Sequence, residues 1–70
     1  MKELIKKNDY SLYEDDNGEL FIEVVCGSIG LYEVKIKLLQ DEVIKYNSDH
    51  KYLDGLAYLI SQHPDKYKTR

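Results

Sequence analysis

Seventy residues make one small domain at most, at a size where a single apolar core only just outweighs chain entropy. The lone cysteine excludes an intramolecular disulfide and a cysteine-based zinc site, so a regular fold or a partner subunit has to supply the stability. A net charge of −3 argues against non-specific binding to nucleic acid, while 43% hydrophobic residues and seven tyrosines place the chain among folded proteins.

The chain opens on "MKELIKKNDY", which has charge but no apolar run of signal-peptide length, and no later stretch is long enough to span a bilayer. A soluble, cytoplasmic protein is the expectation, and a single reduced thiol agrees with it. The charge is uneven: residues 1–40 carry five lysines against eight acids, whereas residues 41–70 balance five bases against five acids. Residues 1–8 fit a helical turn or an extension of the first strand equally well.

From residue 9 the apolar period is that of strands. In "YSLYEDDNGEL" a three-residue loop, Asp16-Asn17-Gly18, puts Tyr10 and Leu12 on the core face and sets Tyr13 against Phe21 on the other. A two-residue Asn17-Gly18 turn is the rival and turns Tyr13 inward. "ELFIEVVC" then alternates Leu20, Ile22, Val24 and Cys26 with Phe21, Glu23 and Val25. "LYEVKIKLL" alternates Tyr32, Val34, Ile36 and Leu38 with Leu31, Glu33, Lys35 and Lys37. Residues opposite one another in an antiparallel pair share a face, so a three-residue Ser28-Ile29-Gly30 loop is required. It matches Val24 with Val34, Ile22 with Ile36, Leu20 with Leu38 and Glu23 with Lys35. That loop favours a left-handed third residue, where Gly30 stands.

Near Gln40 the period becomes helical. Asp41 is placed to cap a short helix reaching Lys45 or Tyr46, and Ser48 or Asp49 to cap a longer one. The longer helix carries a stripe of Leu53, Leu56, Ala57 and Ile60, flanked by Tyr52 and Leu59. Gly55 inside it fits a close backbone approach to the sheet edge or another subunit, or simple exposure. Pro64 ends the helix at His63. The expected architecture is α+β in one small domain, a three-stranded antiparallel meander followed by a short and a longer helix (β-β-β-α-α), the long helix on one sheet face. Its parts are an N-terminal segment (1–8), the meander (9–39), a helical part (41–63) and a flexible basic tail (64–70).

Chemistry is sparse. Gly27 to Gly30 leads into a strand and lacks the lysine and helix of a phosphate loop. Cys26 points inward with no base beside it in sequence, which suits a small core hydrophobe better than a nucleophile. "YEDDNGEL" matches a calcium loop at Asp15, Asn17 and Gly18 but puts Tyr13 and Val24 at its two ends. His50 and His63 lack a metal-ligand spacing. Neither metal nor cofactor is expected. The tail "PDKYKTR" interleaves Lys66, Lys68 and Arg70 with Tyr67, a weak signal for single-stranded nucleic acid. The outer sheet face is the strongest feature. Tyr13, Phe21, Val25 and Leu31 lie on it, Ile29 stands at a hairpin tip, and these five residues are the expected contacts of a non-enzymatic interaction module. The expected partners are a second copy of the chain, as a homodimer, and another protein. Coverage of this face by the short helix or the N-terminal segment is the competing expectation.

Overall fold

The computed structural model describes residues 1–26 and 32–68. Strands β1 (Lys2–Lys6), β2 (Tyr10–Glu14), β3 (Leu20–Cys26) and β4 (Tyr32–Lys37) precede helices α1 (Gln40–Ser48), α2 (Tyr52–Gln62) and α3 (Pro64–Lys68). The strands form one antiparallel sheet in chain order, β1-β2-β3-β4. The class is therefore α+β with helices on an antiparallel sheet, but with four strands where the sequence predicts three.

The additional strand is the N-terminal segment. Its alternation is broken by the adjacent apolar pair Leu4-Ile5, and the structure resolves this as a bulge. Glu3 lies opposite Tyr13, but Ile5 lies opposite Leu12. The extra residue returns Ile5 to the core side and leaves Leu4 39% exposed. The reversal at Asn8-Asp9, closed by Lys7 N–H donating to the Tyr10 carbonyl at 2.9 Å, contains no glycine and no left-handed residue. It lacks the Asn-Gly or Asp-Gly pair that is the strongest hairpin signal.

The β2–β3 register is the one that buries like with like. Tyr13 faces Phe21 and Leu12 faces Ile22, which excludes the two-residue turn. At the tip, the Asp15 carboxylate accepts from the N–H of Asn17 (3.0 Å) and Glu19 (2.8 Å), and Gly18 adopts φ +80°. The acids of this loop hold their own turn. Strands β3 and β4 pair Val24 with Val34, Ile22 with Ile36 and Glu23 with Lys35. The Ser28-Ile29-Gly30 connection, with Gly27 and Leu31, lies outside the described residues.

Helix α2 covers β3 with Leu53, Leu56, Ala57 and Ile60, all buried against Leu12, Ile22, Val24 and their neighbours. Its start differs from expectation, as does that of α1. Helix α1 begins at Gln40 with Leu39 at its cap, because the Glu42 carboxylate reaches back to the Leu39 N–H at 2.8 Å. Asp41 sits in the first turn, and the helix runs to Ser48 rather than Lys45 or Tyr46. Helix α2 begins after Lys51, whose N–H is held by the Asp49 carboxylate at 3.0 Å. Pro64 ends α2 as expected, then opens α3 as its first residue, a position its fixed φ suits. The tail is thus helical to Lys68, with Tyr67 packed on the core and the Lys68 ammonium 5.2 Å from the Tyr32 ring. Gly55 faces open space: a Cβ there would meet nothing within 4 Å, so no close approach within the chain accounts for it.

Candidate interaction surface

Strand alternation sends every second side chain away from the helices, and the registers above set these in rows. One row across the four strands runs Glu3, Tyr13, Phe21, Lys37, and the next runs Lys6, Ser11, Glu23, Lys35. Val25 opposite Glu33 begins a third. Val43, Tyr46 and Tyr67 of α1 and α3 pack with α2 on the core side. The N-terminal segment lengthens the sheet at its β2 side rather than folding over the outer face. Among the described residues, neither expected cover lies on this face.

Tyr13, Phe21 and Val25 are half-buried there. Cross-strand pairing supplies part of that shelter, and the Lys35 ammonium, 4.9 Å from the Tyr13 ring, supplies more. Ile29 and Leu31 belong to the undescribed connection. The charges are balanced, Glu3, Glu23 and Glu33 against Lys6, Lys35 and Lys37, and Lys37 also meets Glu19 at 3.0 Å.

Glu23 and Glu33 are diagonal neighbours across β3 and β4, and both line a groove of about 270 Å³ with Glu3, Lys6, Tyr13 and Val25. Hydrogen bonding with the Glu33 carboxyl raises the proton affinity of Glu23, helped by burial, and the Lys35 charge opposes it. A larger groove, about 510 Å³, opens between the β2–β3 hairpin tip and the start of α1, walled by Leu20, Leu38, Leu39 and Val43.

The remaining candidates have structural environments. Cys26 is 1% exposed, its thiol lies near the carbonyls of Val24 and Ile60, and burial pushes it above the ordinary thiol range. That environment suppresses the thiolate a nucleophile needs. His50 stacks on Tyr46, with ring centroids 4.9 Å apart. Among the described residues, no three His, Cys, Asp or Glu side chains are grouped to hold a metal ion, and no helix is long and apolar enough to cross a membrane.

Sequence reasoning missed two features. Lys7 and Asp54 meet at 3.0 Å, and the Tyr10 hydroxyl donates to the same Asp54 oxygen at 2.7 Å, tying the β1–β2 turn to α2. No local pattern announces a contact across 44 residues. The helical layer also exposes apolar side chains: Ile44 is 58% exposed, Tyr58 64% and Leu59 47%. For α2 the signal is in the sequence, since Tyr58 and Leu59 lie off the Leu53–Ile60 stripe. Comparison with protein-family models, curated proteins and solved structures finds no match to this chain.

Proposed function

We propose that the chain is a non-enzymatic interaction module whose outer sheet face pairs with a second copy of itself. The observation that carries this reading is the placement of the helices together on the opposite face, which among the described residues leaves the Tyr13–Phe21 pair and, beyond the Glu23 row, Val25 without a covering element. Balanced charge around those residues supports a self-complementary contact over a strongly charged partner, because an isologous interface opposes the face to itself. The sheet edges suit the role less well: β1 is bulged and carries Lys2 and Lys6, and β4 carries Lys35 and Lys37, all devices that discourage strand addition.

Sedimentation equilibrium tests the proposal. Phe21→Asp raises the dimer dissociation constant by roughly tenfold or more, as truncation or charging of a central aromatic anchor does. An unchanged mass and constant for this variant would sink the outer-face interface. A second reading, with the helical layer as the contact face, draws on the exposure of Ile44, Tyr58 and Leu59. Dissociation by Leu59→Asp with Phe21→Asp still associated selects it. In either geometry the module would serve as an inhibitor or accessory subunit for another protein.

A further inference from the structure

We propose that a proton shared between Glu23 and Glu33 gates this self-association, so that the face closes on its copy more tightly as the pH falls below neutral. The inference rests on the outer-face reading and adds its regulation. The two carboxyls stand diagonally on neighbouring strands, line one groove and flank Val25, in the part of the face that a second copy covers. Two adjacent carboxylates are costly to strip of water, whereas a carboxyl–carboxylate pair carries one charge and makes its own hydrogen bond.

The groups facing the pair are Glu3 and Lys6 from β1, Tyr13 from β2 and Lys35 from β4, with Lys7 also on the groove wall. Glu3 adds to the repulsion and Lys35 offsets it, while the Glu33 contact already raises the Glu23 proton affinity in the monomer. Closing the face removes water from the pair and raises that affinity further. Association then takes up protons and strengthens as the pH falls through the window between the value in the closed dimer and the lower, already raised value in the monomer.

Acid also brings the net charge from −3 toward zero, since the sequence pI is about 5.2, so the experiment has to separate the gate from a general loss of repulsion. Dimer dissociation constants are measured by sedimentation at about pH 7 and about pH 5 for the native chain, Glu23→Gln, Asp16→Asn and Phe21→Asp. The native dimer tightens roughly tenfold or more, within what uptake of one proton per face permits. Glu23→Gln, whose amide donates to Glu33 as the proton would, associates at pH 7 as tightly as the native chain at pH 5 and changes little between them. Asp16→Asn removes the same charge from the hairpin tip and follows the native chain. Phe21→Asp stays weak at both values. Native association that is indifferent to pH, or that weakens in acid, overturns the gate and leaves the outer-face reading standing. Tightening of Glu23→Gln in acid by as much as the native chain assigns the effect to net charge and overturns the gate as well. A native chain that is monomeric at both values overturns reading and gate together.

Discussion

Two glycines give opposite forecasts for the same substitution, and the difference lies in one torsion angle. Gly18 sits at φ +80° in the loop held by Asp15, where any Cβ crowds the following carbonyl, so Gly18→Ala lowers stability by about 1 kcal/mol. Gly55 occupies ordinary helical backbone with open space where a Cβ would go, so Gly55→Ala raises stability by about 0.5–1 kcal/mol. Urea denaturation of the pair reads both signs directly. Asp54 supplies a third residue-scale forecast. The Tyr10 hydroxyl bond and the Lys7 bond together hold its carboxyl below the usual carboxylate range. Its contribution is therefore present above that range and lost as the pH falls through the lowered value. Asp54→Asn is less stable than the native chain at neutral pH, and the gap closes on acidification below the ordinary aspartate range. A gap that persists undiminished in strong acid would show that the charge plays no part.

At the scale of elements, the sequence spoke clearly wherever a period was unbroken. Strands β2, β3 and β4 and their registers were legible because only one offset paired apolar with apolar. The stripe Leu53, Leu56, Ala57, Ile60 was legible because four core positions recur at helical spacing. The errors share a cause. Strand β1 was undecided because the bulge near Leu4 shifts its period by one residue and its turn lacks glycine. The start of α1 differs because Glu42, inside the helix, satisfies the cap in place of Asp41, and α2 starts later because Asp49, one of its two expected caps, holds the Lys51 N–H and the helix begins only after Lys51. Helix α3 was read as tail because Pro64 signals an ending and a beginning with the same residue. The outer face was legible as a pattern. The Glu23–Glu33 diagonal follows from the same β3–β4 register as the favourable Glu23–Lys35 match.

For the whole molecule, stability concentrates where α2 meets β3. Leu12, Ile22, Leu53 and Ile60 are fully buried, and a chain of 70 residues has little reserve against losing any of them. Leu53→Ala removes about 2–5 kcal/mol, most or all of what a domain this small holds, and chemical denaturation or amide exchange measures the loss. An effect below about 1 kcal/mol would mean that α2 docks loosely. The order of the elements also has a consequence for synthesis. A ribosome releases the four strands first, and they pair with their sequence neighbours as they emerge, but the residues that cover their apolar side are encoded from residue 53 onward. Until those arrive the nascent sheet is wet on both faces, with Leu12, Ile22, Val24 and Ile36 open to any passing chain. The apolar side of the sheet is therefore more exposed to aggregation in that interval than after α2 has docked on it.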